Sequence, residues 1–153
     1  MTPSSLRLPA HLALLFAAAS LAAAACATPL PRVRLHAGAH AFQVEVAATP
    51  QQRQRGLMGR TRLRDDAGML FVFEQKGAHC FWMKDTPIPL SVAFLADDGS
   101  IVNIEDMQPQ TTDRHCAKAA VRHALEVKQG GFQSRGIRPG MRISGGPFAP
   151  RQK

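Results

Sequence analysis

Short apolar stretches recur along this chain, several with a two-residue period, and glycine, proline or aspartate punctuates them. A chain patterned this way buries its apolar side chains by forming sheets, because alternate residues of a strand point to opposite faces. Phe42, Val44 and Val46 share one face of an expected strand over 41–47, with Gln43 and Glu45 on the other. Residues 33–36 form an earlier strand, and Gly38 between the two marks a hairpin turn. Residues 69–73 are continuously apolar, as in a strand buried on both faces, and residues 90–95 read as a further buried strand. Residues 80–84 form a strand that Pro87 and Pro89 then bend away. Asp97-Asp98-Gly99-Ser100 is a hairpin turn leading into a strand over 101–105. Residues 108–118 are polar and contain Pro109, so they read as a surface loop. Residues 121–127 alternate, with Val121, His123, Leu125 and Val127 opposed to Arg122, Ala124 and Glu126.

One segment breaks the pattern. Thr49 can cap a helix, Pro50 fits its first position, and Gln52 completes a capping box. Gly56 weakens the helix, which therefore ends near 57–59 and carries Arg53, Arg55 and Arg60 on it or beside it. The expected fold is mainly β, a small sandwich or barrel of about seven to nine strands with one short helix after the first hairpin.

The chain has 153 residues, enough for one domain with appendages. Residues 1–26 read as an export signal: Arg7 gives a basic start, and the apolar run over 12–25 is interrupted only by Ser20. Ala23-Ala24-Ala25-Cys26 resembles a lipoprotein box, which makes Cys26 a lipidation candidate; Ala25-Cys26-Ala27 also fits ordinary signal peptidase. Residues 27–32 are then a linker, 33–144 the domain and 145–153 a disordered tail. The compartment is the periplasm, or the outer membrane through a lipid on Cys26.

The formal net charge is +8, and removal of Arg7 with the signal leaves 18 basic against 11 acidic residues, or +7. Such a balance favours solubility and loose attraction to anionic headgroups or acidic polymers. Nucleic acid is not the expected partner, because no dense Lys/Arg cluster carries interleaved aromatics. The membrane is reached only through the lipid anchor, and the domain is expected to be a monomer.

Cys80 and Cys116 remain in the domain, and in an oxidising compartment an even pair reads first as a disulfide. Free thiols are an alternative, and His79-Cys80 with His115-Cys116 supplies the donor types of a zinc site. Strand neighbours point to opposite faces, which works against that site, and no metal or cofactor is assigned. Five methionines follow the signal segment, at 58, 69, 83, 107 and 141; thioethers suit copper, but these lack a Met-x-x-Met cluster and two lie in apolar strands.

For chemistry, the distinctive stretch is Trp82-Met83-Lys84-Asp85. If Phe81 and Met83 face the core, Trp82 and Lys84 share the other face, where an indole beside a cation could stack on a sugar or anionic ring. The opposing possibility is that Trp82 covers a second apolar layer under the Lys84 stem. His115, His123, Asp85, Glu105 and Asp106 are candidate bases, without a spacing that ties any to a nucleophile.

Three ordered blocks, Arg55-Gly56-Leu57-Met58-Gly59-Arg60, then 68–73, then Phe81-Trp82-Met83-Lys84-Asp85 through Leu90, resemble the signatures of the domain-of-unknown-function family 192. The Asp98-Gly99 hairpin, Leu125-Glu126-Val127 and the Gly136–Gly140 turn resemble it as well. The resemblance spans 33–144 and implies a compact, mainly β fold and frequent export or lipid anchoring, but no activity. Asp85 stands where the family usually has asparagine. The matched polar positions Arg55, Arg60, Trp82, Lys84 and Asp85 form the candidate ligand site, since turns controlled by glycine and proline leave clefts. The expected function is non-enzymatic binding of an anionic small molecule or polymer of the envelope. An enzyme acting on an envelope component would need a carboxylate or histidine of shifted pKa in that cleft. A copper or zinc protein would need converging Met, Cys and His side chains.

Overall fold

A computed structural model describes residues 28–149; the expected signal, Cys26 and the chain end from 150 lie outside the described residues. Nine strands form the frame: β1 Arg32–Ala37, β2 His40–Ala47, β3 Ala67–Gly77, β4 Cys80–Phe81, β5 Leu90–Leu95, β6 Ile101–Met107, β7 His115–Cys116, β8 Val121–Lys128 and β9 Ile143–Gly145. The one α-helix among the described residues, α1, spans Pro50–Arg55 between β2 and β3.

Seven strands make one sheet in the order β6-β5-β8-β3-β2-β1-β9, while β4 and β7 pair separately. Every pairing is antiparallel except β2 with β3, which run parallel. A parallel pair needs a crossover, and α1 with its flanking turns supplies it. The capping box is formed: the Thr49 hydroxyl accepts from the Gln52 N–H at 3.2 Å, and the Gln52 carboxamide oxygen accepts from the Thr49 N–H at 3.0 Å.

The sheet curls into a half-barrel whose two outer strands approach at one corner. Ser100, beside β6, bridges Arg142, beside β9, and the Ile143 N–H donates to the Gly99 carbonyl at 2.8 Å. Gly99 is required there. Its φ is +84°, and a Cβ would stand 2.1 Å from the Ile143 carbonyl oxygen.

The central strands are buried on both faces, including all six residues of β5. One core, with Phe42, Leu70, Leu125 and Phe132, fills the inside of the curl. The other, with Met69, Phe71, Met83, Val92 and Phe94, lies on the opposite face beneath Leu57 and the small β4–β7 ribbon. The methionines at 69, 83 and 107 are buried core side chains.

Several boundaries differ from expectation. The strand read over 80–84 stops at Phe81, because the chain then turns: the Met83 N–H donates to the Thr111 carbonyl and the Thr86 N–H to that of Met83. Strand β3 continues through 74–77, where a connection was expected. The polar loop 108–118 contains β7, held by the Cys80–Cys116 disulfide and by Asn103, whose amide donates to the Cys116 carbonyl at 3.1 Å. The linker over 27–32 is docked where it is described: Pro31 accepts from the Val46 N–H and Leu30 packs on the second core. The tail assigned as disordered from 145 is in part structured, since β9 pairs with β1 and Phe148 in the following 3-10 turn packs against the first core.

Candidate functional site

A cavity of about 500 Å³ opens beside the second core. Arg53, Arg55, Gly56 and Leu57 line one side. The turn Trp82-Lys84-Asp85-Thr86 lines another, and Phe71, Phe73, Phe81 and Glu126 come from the strands beneath. The two sides are tied together, because the Gly59 N–H donates to the Asp85 carbonyl at 2.8 Å. Gly56 keeps the entrance open to the strands: at φ +46°, any Cβ would press on the Phe71 ring at 3.2 Å.

Phe81 meets the rings of Phe71, Phe73 and Phe94 edge to face, at centroid distances of 4.8, 6.3 and 5.7 Å. Such packing fixes an apolar interior. The Cys80–Cys116 disulfide anchors the strand that carries Phe81.

Trp82 is 55% exposed, and it is the one large hydrophobic side chain so exposed among the described residues. It therefore does not cover a second apolar layer. Arg55 and Lys84 are exposed and make no ion pair or side-chain hydrogen bond to a described residue. Arg53 is committed: it donates to the Val72 carbonyl at 2.9 Å and lies 5.2 Å over the Phe73 ring.

Four of the five candidate ligand residues, Arg55, Trp82, Lys84 and Asp85, line this one cavity. Arg60 does not. Its guanidinium pairs with Glu45, which also meets Arg32 at 3.4 Å, so it secures the sheet surface instead. Asp85 has φ 58°, a left-handed conformation that asparagine and aspartate tolerate best among residues with a side chain. The backbone thus accounts for the residue type at 85 without a ligand.

The residue that sequence pattern missed is Glu126. It is 4% exposed and stands on β8 directly between Met69 of β3 and Val92 of β5. No hydrogen bond joins its side chain to a described residue. Burial alone pushes its carboxyl from 4.5 up to about 8, with no cation close enough to offset the loss of water. The alternation of β8 placed Glu126 on a polar face with Arg122. No signal within β8 could have found it, because its burial follows from β8 lying between β3 and β5 in the sheet.

Of the candidate bases, Asp85 lines this cavity, whereas His115, His123, Glu105 and Asp106 do not. His123 is buried on the opposite face, with Nδ1 unpartnered. Glu105 and Asp106 line a separate cavity, where Asp106 accepts from the Ser91 hydroxyl at 2.5 Å. Among the described residues no three His, Cys, Asp or Glu side chains gather as metal ligands, and the disulfide removes both cysteines as thiolates.

The family model DUF192, described as "Uncharacterized ACR", matches residues 33–145. The chain is similar to a crystal structure from Sinorhizobium meliloti described as a candidate transcription regulator, at 37% identity and a TM-score of 0.71, covering 76% of this chain and 93% of that one. It is also similar to a protein of unknown function from Novosphingobium aromaticivorans, at 31% identity and a TM-score of 0.69, covering 74% and 83%. No curated protein matches it significantly.

Proposed function

The chain belongs to the DUF192 family, and from that premise we propose that it is an exported envelope module that binds an anionic small molecule, or the anionic end of a polymer, in the Trp82 cleft. One observation carries this reading: an exposed indole and two cations without a partner among the described residues, Arg55 and Lys84, stand at the entrance to a single aromatic-lined cavity. The indole offers a stacking face, and the cations offer charge without having to break existing pairs. Arg60 drops out of the binding set and Asp85 serves the turn.

Export is supported by the disulfide, which persists in oxidising compartments, and by the apolar leader ending at Cys26. Lipid on that cysteine would be the one membrane attachment, and the domain would act as a monomer. The regulator description of the Sinorhizobium protein does not transfer readily: groove readers present a helix or ribbon to base edges, whereas the six-residue α1 lies beside the cleft.

The test is isothermal titration with glucuronate, phenyl phosphate and glycerol phosphate, repeated on Trp82→Ala and on the Arg55→Ala/Lys84→Ala pair. Binding should fall at least about tenfold in each, the loss of one good charged or stacked contact. Wild-type protein that binds none of these anions would overturn the proposal. Mass measurement of the mature protein tests export separately, through lipid on Cys26 or loss of the leader.

A second reading is favoured by Glu126. A buried carboxyl of raised pKa inside a cleft is the signature of a general acid, here acting on an envelope component. Turnover of polymeric cell-wall glycans that is abolished by Glu126→Gln would select the enzyme over the binding module.

A further inference from the structure

We infer that Glu126 contacts the ligand directly, as a hydrogen-bond donor reaching from the cavity interior to a carbonyl or hydroxyl oxygen. The ligand is then an aromatic or sugar-like ring with an anionic group at one end and an uncharged acceptor at the other. This rests on the Trp82 cleft being a binding site and adds which molecule it selects.

Three observations converge. Glu126 is 4% exposed, lines the cavity and has no hydrogen-bond partner among the described residues. Its flanking side chains on the sheet, Met69 and Val92, are apolar and can satisfy neither carboxyl oxygen. The charged side chains that face the same cavity are Arg53, Arg55, Lys84 and Asp85. Arg53 is spent on backbone carbonyls, and Arg55, Lys84 and Asp85 are exposed at the entrance.

The cavity therefore has a polarity gradient. An anionic group stays at the entrance, where Arg55 and Lys84 reach it and water still solvates it. Carrying that charge inward would strip its hydration among phenylalanine rings. An acid that keeps its proton has an O–H to give, and burial keeps the proton on Glu126 at neutral pH. A carbonyl or hydroxyl oxygen accepts it, whereas an apolar tip leaves the donor unmet and weakens binding about tenfold.

Two matched probes separate these cases: 4-acetylbenzoate, with a ketone opposite its carboxylate, and 4-isopropylbenzoate, of the same shape without an acceptor. Neither titrates between about pH 6 and about pH 9.5, so a pH step in affinity over that range reports the protein. The expected result is that wild-type protein prefers 4-acetylbenzoate about tenfold near pH 6 and loses the preference above about pH 9. Glu126→Gln, which keeps an N–H donor, should hold the preference at both pH values. Glu126→Met should bind both probes alike.

Circular dichroism and thermal unfolding establish that each variant is folded. If Glu126→Met does not fold, the comparison of the two probes on wild-type protein decides alone. Equal affinity for both probes at both pH values, while anions still bind in a Trp82-dependent way, overturns this inference and leaves the cleft standing. No binding of any anion overturns both.

Discussion

Glu126 and Trp82 line the same cavity from opposite ends of the exposure scale, the one residue 4% and the other 55% accessible. The two come from distant parts of the chain and meet because β8 lies between β3 and β5 in the sheet, while the turn after β4 folds back over that face. A stability-driven fold would place an apolar residue between Met69 and Val92. The carboxyl there makes folding less favourable, and sites that trade stability in this way are where function is concentrated.

That cost is measurable as a pH dependence. Unfolded, Glu126 titrates near 4.5; folded, it keeps its proton to about 8. Between those values the folded state binds more protons, so stability falls as pH rises, by up to about 1.4 kcal/mol per unit. His123 works in the opposite direction below its ordinary value of 6.5, so the Glu126 contribution is read in the interval from 7 to 8. Urea midpoints across that interval should decline in the wild type and stay level in Glu126→Gln. Parallel slopes in the two proteins would mean that the carboxyl is hydrated.

The disulfide should matter for both stability and the cleft. Cys80 and Cys116 are 36 residues apart, and closing a loop of that size restricts the unfolded chain by about 3–4 kcal/mol. Cys80→Ser/Cys116→Ser is expected to lower the unfolding free energy by about that amount, and with it the denaturation midpoint, and reductant should do the same to the wild type but not to the double variant. Loosening β4 also loosens Phe81, so Trp82-dependent ligand binding should weaken as well. A double variant with the wild-type midpoint would show that the ribbon is held without the bridge.

Much of this arrangement was legible from residues alone. The alternation in β2, the hairpin at Gly99, the capping box at Thr49 and the paired cysteines each report a local rule, and local rules can be read in order along a chain. What could not be read depends on which strand neighbours which. The parallel pairing of β2 with β3 and the insertion of β8 between β3 and β5 decide that Glu126 is buried, and neither leaves a mark within β8 itself. Arg55 and Arg60 look alike in sequence. Only the position of Glu45 on β2 separates the paired cation from the unpaired one. Residues 145–148 lack periodicity because they dock by a single ring, Phe148, and by backbone pairing to β1.

Closure of the curl depends on a residue without a side chain. Gly99→Ala would force a Cβ into the Ile143 carbonyl at a backbone angle that side chains disfavour, costing about 1–3 kcal/mol or more. Amide exchange at Ile101 and Ile143 should quicken in this variant while exchange in the β5–β8 centre changes less. Uniform acceleration across the sheet would indicate that the corner is not a separate point of closure.

The 3-10 turn at 146–148 packs on a histidine, and acid should test that contact. His123 is buried, its Nδ1 has no partner among the described residues, and Phe148 meets its ring edge to face at 4.9 Å. Burial holds the imidazole below its ordinary 6.5; Arg122 adds in the same direction, and Asp97 opposes both. A depressed histidine favours folding fully above the unfolded value, and that advantage is lost as pH falls from about 6.5 toward the folded value. Phe148→Ala should return water to the ring. It should therefore raise the His123 pKa toward 6.5 and flatten the acid side of the stability profile, while removing about 1–2 kcal/mol of packing, less than for a fully buried phenylalanine. A histidine NMR titration gives the first quantity and urea unfolding the second. A His123 pKa unmoved by Phe148→Ala would assign the depression to Arg122 and the sheet, and would free the 3-10 turn at 146–148 from any part in it.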